Sequence, residues 1–349
     1  MFSAILLGAS KVGKPDILIA TSPQFFVGVA GYVISRLKQC KFVFEIRDLW
    51  PEEIVAVGAI QNRFVIWMLE RLEMFLYRKA DLLVPVAHGT IDVLVSRGIP
   101  RDKMVLIPNG VALDEFSEQG KGQAVKERLG LADKFVVGYI GTHGMAHRLS
   151  TVIEAAKLLK GHTEIQFLFV GDGAEKKKLV ELAQQLHLTN VTFHDQVPRS
   201  DIPSYYQSCD LCLVPLRQAE LFKKNIPSKI YEIMASRRPI IVSTEGESRN
   251  LVESSGAGVG STPENAAELA EKILMLSSRP DLCDQMGRDG YTFALANCSR
   301  TRLADQYLEV LNSVVNGSRP VPPERSLRTI RPKSPSEPES GKRRQPVSR

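Results

Sequence analysis

The stretch Asn225-Ile-Pro-Ser-Lys-Ile-Tyr-Glu-Ile-Met-Ala-Ser-Arg-Arg-Pro-Ile-Ile-Val-Ser-Thr244 puts a hydroxyl, an ammonium and a carboxylate close together: Ser228, Lys229 and Glu232. Pro227 and Ser228 suit a helix start, with Lys229 just inside it. Arg237-Arg238-Pro239 ends that helix, and Ile240-Ile241-Val242 reads as a buried parallel strand. Glu232 then falls on the first helical turn. A carboxylate there can accept both hydroxyls of a ribose, and amides at the same helix start can hold a diphosphate. The placement equally suits a solvated acid favoured by the helix dipole, so this segment alone leaves both readings open.

Two glycine-bearing junctions precede it. Gly141-Thr-His-Gly-Met-Ala-His-Arg148 follows the predicted strand Phe135–Ile140 and leads into a helical pattern from Leu149 to Lys160. Val170-Gly-Asp-Gly173 follows the predicted strand Ile165–Val170 and leads into another helix. Glycines there either let phosphates approach the backbone or make tight turns with no ligand. Further upstream, Glu45-Ile-Arg-Asp-Leu-Trp-Pro-Glu52 sets Glu45, Arg47 and Asp48 at the end of the strand Lys41–Ile46. Ile107-Pro-Asn-Gly110 reads as a turn. As a set and in this order, these motifs resemble those of family 4 glycosyltransferases of the GT-B fold. That group builds bacterial O-antigen, capsule and colanic-acid-type polysaccharides. The resemblance runs from about Pro15 to about Val315.

The resemblance implies an α/β fold with two Rossmann-like doubly wound domains. Residues 1–112 would form a partial, acceptor-side domain and 123–315 the nucleotide-sugar donor domain, with 316–349 a disordered basic tail. Family members place further βα units before the segment matching Pro15, so the first domain is expected to be truncated: either it folds poorly or the true start lies upstream. The resemblance assigns Glu232 to the ribose, and Ser228 and Lys229 to the diphosphate. Gly141 and Gly144 would admit the phosphates, and Gly171, Asp172 and Gly173 would lie near the base. Two positions depart from the family pattern. Lys224 stands where many members carry a glutamate that meets the donor sugar. Thr142 and His147 stand where members often carry Arg and Lys, so Arg148 or Lys229 would supply the charge. Glu45, Arg47 and Asp48 are expected to face the acceptor, with His147 as a further catalytic candidate and His88 as a weaker one. Arg47–Asp48 reads equally well as a structural ion pair.

The implied activity is a retaining transfer from a UDP-type sugar to a lipid-linked or polysaccharide acceptor. It would run at the cytoplasmic face of the membrane, with peripheral contact to the inner membrane and without metal or cofactor. Two alternatives stay open: a nucleotide-sugar 2-epimerase on the same fold, and a non-catalytic nucleotide-binding remnant.

The elements that must carry these residues follow from alternation. Apolar strands at Asp16–Ala20, Lys41–Ile46, Asp81–Val86, Lys103–Ile107, Phe135–Ile140, Ile165–Val170, Val191–His194, Leu211–Val214 and Pro239–Val242 alternate with amphipathic helices, the signature of parallel sheets. That is too many strands for one comfortable sheet, and a boundary is expected in Ala112–Gly122. Asn62–Lys79 repeats Phe64, Trp67, Met68, Leu72, Phe75 and Leu76 at helical spacing. Core packing and a membrane-surface helix both fit that stripe.

A net charge of +6 would ordinarily raise the question of nucleic acid. From Asn316 to Arg349, however, nine Lys/Arg face three Asp/Glu, which leaves Met1 to Val315 neutral overall. The tail has no aromatic residue and seven prolines, so no nucleic-acid partner is expected; contact with anionic lipid and a solvated appendage without function both fit it. No apolar run reaches transmembrane length, and Met1–Gly8 lacks the basic flank of a signal peptide. Five scattered cysteines argue against a disulfide framework; Cys209-x-x-Cys212 straddles a strand start and reads as two buried thiols.

Overall fold

Runs that are apolar on both faces form the strands, as parallel sheets covered on both sides require. The computed structural model describes residues 2–56, 58–116 and 120–318. Three parallel strands, β1 (Ile17–Thr21), β2 (Lys41–Ile46) and β3 (Leu82–Pro85), pair in the order β1-β2-β3. Six more form a second sheet: β4 (Phe135–Ile140), β5 (Ile165–Val170), β6 (Val191–His194), β7 (Leu211–Pro215), β8 (Ile240–Ser243) and β9 (Gly258–Gly260). Their order is β6-β5-β4-β7-β8-β9, all parallel. β5 and β8 are buried at every position. The order reverses between β4 and β7, so the loops leaving those two strands diverge and open a crevice at their carboxyl ends.

Two strand expectations change. Lys103–Ile107 is no regular strand: a short 3-10 turn spans Arg101–Lys103, and the chain then runs beside β3. The amides of Val105 and Ile107 donate to Leu83 and Pro85 at 3.0 and 3.1 Å. Pro85 has no N–H to return, which breaks the ladder there. β9, not anticipated, is a Gly-Val-Gly segment too short to show a periodicity.

The expected donor domain, 123–315, needs a correction. Its last helix, Arg300–Val315, turns Leu303, Val310 and Val314 onto Val43, Leu82 and Val84 of the first sheet and onto Val105 and Ile107 beside it. An apolar stripe at helical spacing must be covered, and here the N-terminal lobe covers it. The chain thus crosses between lobes twice, near Val111 and near Ser299. The crossings are bonded to each other: Val111 N–H donates to Cys298 O at 2.9 Å and Arg300 N–H to Val111 O at 3.0 Å. The predicted tail lies outside the described residues from position 319 onward. β1 is an edge strand with Ile19 exposed, and the helix Phe2–Lys11 ahead of it buries no residue.

The helix Arg63–Lys79 starts at Asn62, whose side chain caps the amides of Phe64 and Val65. Its apolar stripe splits. Leu69, Leu76 and Tyr77 are buried, whereas Phe64, Trp67, Met68 and Phe75 are exposed, so core packing accounts for one face only. Glu73, a charged residue of the same helix, is buried. It accepts the Tyr77 hydroxyl at 2.6 Å and pairs with Arg97 at 3.2 Å, and burial pushes its pKa up to about 8. Cys209 and Cys212 are buried free thiols, and Cys209 Sγ occupies the space over Gly138.

Candidate functional site

The loop leaving β7 ends at Ser228 and starts the short helix Lys229–Ala235, so its first residues stand at the crevice. The Lys229 chain runs inward. Its Nζ lies 4.0 Å from the centroid of the Tyr139 ring at the end of β4. That nitrogen is buried and has no hydrogen-bond partner among the described residues. Burial holds the Lys229 pKa down at about 7, with Glu232 pulling the other way. The ring face offers a cation modest compensation. Gly141, at φ +138°, makes the room, because a Cβ there would stand 2.7 Å from Nζ. Tyr139 is held in turn by donating to Thr142 O at 2.7 Å.

Glu232 sits one turn further along, with its side chain 18% exposed. Its neighbours are Tyr206 Oη at 3.4 Å and Arg199 Nη2 at 3.5 Å, both long for hydrogen bonds. The carboxylate therefore keeps most of its accepting capacity. A cavity of about 470 Å³ joins these groups and is lined by Gly141, Gly171, Asp172, Arg199, Lys229 and Glu232 among others. It has the polar and cationic features that a nucleoside diphosphate requires.

The remaining predicted residues divide. Gly171 and Asp172 line the cavity; Gly173 does not. Gly171 and Gly173 are required by packing, since a Cβ on either would strike the backbone of Gly141 or His143. Gly144 has ordinary φ and open surroundings, so the structure gives no reason for glycine there. Arg148 is not brought in: it lines none of the cleft cavities and pairs with Glu264 at 3.3 Å. His147 does line the cleft, and burial beside Lys229 pushes its pKa down to about 3, so it is neutral near pH 7. His143, buried among Tyr139, Phe169 and Phe193, is likewise held neutral, its pKa lowered to about 4 by burial and by Lys176 and Lys229.

Across the cleft, Ser22 Oγ accepts from the amides of Arg47 and Asp48 and fixes the turn after β2. Arg47 pairs with Glu45 at 2.7 Å, not with Asp48 as the ion-pair reading had it. Glu45 and Arg47 share a cavity of about 380 Å³ with Arg199, Ser228, Glu232 and Tyr307. Asp48 instead hydrogen-bonds Glu53, which also accepts Asn225 Nδ2 of the other lobe at 2.6 Å. His88 lies at the lobe contact, where its amide and that of Gly89 donate to Glu247. Arg199, Tyr206 and Glu53 escaped sequence reasoning. Arg199 could have been found from its place just beyond the carboxyl end of β6. Glu53 meets a partner 172 residues away, and no local signal marks that contact.

A crevice at the switch point of one doubly wound sheet, faced by a second α/β lobe, defines a two-lobed α/β protein with its site between the lobes. Residues 2–110 match the family model "Glycosyl transferase 4-like domain" and 123–293 match "Glycosyl transferases group 1". The chain belongs to the group 1, family 4 glycosyltransferases of the GT-B fold. It is 24% identical over 276 residues to WcaI of Escherichia coli, a glycosyl transferase named for colanic acid biosynthesis, covering 76% of this chain. It is 24% identical over 258 residues to the N,N'-diacetylbacillosaminyl-diphospho-undecaprenol alpha-1,3-N-acetylgalactosaminyltransferase of Campylobacter jejuni, covering 72% of this chain and 65% of that one. The chain spans 67%, 53% and 49% of the first three curated relatives it matches. Among solved structures, Anabaena HepE in complex with UDP and glucose superposes with a TM-score of 0.76 at 19% identity, over 89% of this chain and 81% of that one.

The glycines make a testable contrast. Gly141→Ala is expected to destabilise by about 1–3 kcal/mol, because alanine is strained at that φ and its methyl crowds Lys229. Gly144→Ala should stay within about 0.5 kcal/mol. Urea unfolding of the two variants measures the difference; equal effects would contradict this account of the Gly141 loop.

Proposed function

We propose that this chain is a retaining transferase that moves a sugar from a UDP-type nucleotide onto a lipid-linked or polysaccharide acceptor in cell-surface glycan synthesis. The carrying observation is Lys229: a buried ammonium without an acceptor, opening onto a cavity one helical turn from Glu232. A diphosphate supplies the missing acceptor oxygens. In the reaction the bond from the anomeric carbon to the distal phosphate oxygen breaks and the bond to the acceptor oxygen forms. The departing phosphate oxygen takes the acceptor's proton, and a cation already in place stabilises the charge that develops on it. No metal or cofactor enters this reading. Two relatives support it: the Campylobacter transferase is named for a diphospho-undecaprenol acceptor, and HepE was solved with UDP and glucose.

The exposed face of the helix Arg63–Lys79 supports the reading of peripheral attachment to an anionic membrane, with the reaction run at its cytoplasmic face. Phe64 is 68% and Trp67 51% exposed, and Arg71 and Lys79 lie over the Trp67 and Phe75 rings at 5.4 and 5.9 Å. Aromatics ringed by basic residues match an interface of anionic headgroups. No helix among the described residues is long and apolar enough to cross a membrane.

Glu232→Ala should weaken UDP binding by about 1–3 kcal/mol in calorimetry, the cost of a lost charged hydrogen bond. Unchanged affinity would remove Glu232 from the ribose site. The chain is also expected to co-sediment with phosphatidylglycerol vesicles but not phosphatidylcholine vesicles, and Phe64→Ser with Trp67→Ser should abolish this. Retention of the double variant on the anionic vesicles would overturn the membrane reading.

A further inference from the structure

A third cavity, of about 490 Å³, lies between the lobes and is also lined by Lys229. It shares Thr142, His147, Ser228 and Lys229 with the cavity that holds Glu232. The ammonium therefore stands where the two spaces meet. With ribose at Glu232 and diphosphate at Lys229, the group carried by the distal phosphate has this third space to enter. Its lining acids are Asp48 and Glu53, both from the N-terminal lobe.

The two acids are hydrogen-bonded to each other, and Asn225 of the C-terminal lobe donates to Glu53. Asn225 is itself anchored where Ser248 Oγ donates to its carbonyl at 2.5 Å. From Asn225 the chain runs directly through Pro227 and Ser228 to Lys229, so this contact and the phosphate site share one short segment. A carboxyl pair holding a proton between its members offers a donor and acceptors side by side. Vicinal sugar hydroxyls, each donor and acceptor at once, match that pattern. Burial and the second acid push Glu53 up to about 8, consistent with a proton held between them at neutral pH.

We propose that Asp48, Glu53 and Asn225 form a clamp, shared by both lobes, that binds the hydroxyls of the donor's sugar. The acid pair reaches the sugar from the lobe opposite the nucleotide, at the point where Asn225 meets Glu53. This rests on the nucleotide-sugar reading given above and adds the residues that select the sugar.

The test compares binding of UDP with that of UDP-glucose, UDP-galactose, UDP-N-acetylglucosamine and UDP-N-acetylgalactosamine by calorimetry. In the wild-type chain at least one sugar should bind tighter than UDP alone. Glu53→Gln and Asp48→Asn should each erase that gain, by about tenfold or more, while the Kd for UDP stays within about twofold. Intact UDP binding shows that the variants fold. The clamp is overturned if the variants keep the sugar's gain, if no sugar adds affinity in the wild type, or if UDP itself weakens equally. Failure of the wild type to bind UDP would instead sink the nucleotide-sugar reading.

Discussion

A buried ammonium with no oxygen to donate to is the constraint around which this molecule is arranged. Lys229 Nζ has a ring face beneath it and no hydrogen-bond acceptor among the described residues. Leaving a cation so placed is costly, and its lowered pKa is the direct sign of that cost. Packing maintains it nonetheless. Gly141 gives up its side chain for it, Tyr139 is tied down beneath it, and the helix Lys229–Ala235 delivers it to the carboxyl end of the sheet. Nearby His143 and His147 stay neutral and add no competing charge near pH 7. A site under such strain makes physical sense when an anion relieves it.

The two lobes divide the work by topology. The six-stranded sheet reverses its order between β4 and β7 and so opens the crevice that holds Lys229 and Glu232. The three-stranded sheet brings Arg47, Asp48 and Glu53 to the opposite wall. Two paired crossings, at Val111 and Ser299, connect the lobes, and the last helix returns to seal the N-terminal core. Contacts across the cleft, Asn225 to Glu53 and Glu247 to the amides of His88 and Gly89, hold the walls in register.

Much of this was legible from residue types alone. Apolar runs located eight of the nine strands, because parallel strands buried on both faces leave that mark. Glu232, Lys229 and Gly141 were readable because a strand end, a glycine and a helix start are local signals. The Asp48–Glu53 contact with Asn225 was not, since it joins distant segments and Pro51 interrupts the pattern around it. The Arg148 expectation failed because Glu264, far along the chain, holds that side chain away. The lobe membership of the last helix was hidden for a related reason: amphipathic spacing says that a face is covered, not which sheet covers it.

The most direct test of the central claim is the pH dependence of UDP-glucose binding, a ligand whose diphosphate has no proton titrating near neutrality. Free Lys229 titrates at about 7, and a bound diphosphate raises that value, so binding takes up a proton above pH 7. Measured in a Glu53→Gln background, which removes the other cleft group titrating near neutrality, affinity should be strongest below pH 7 and fall by up to about tenfold per pH unit above it, whereas adding Lys229→Met should leave weak binding with no such slope. A pH-independent Kd in the Glu53→Gln chain, or a slope retained once Lys229→Met is added, would contradict the account.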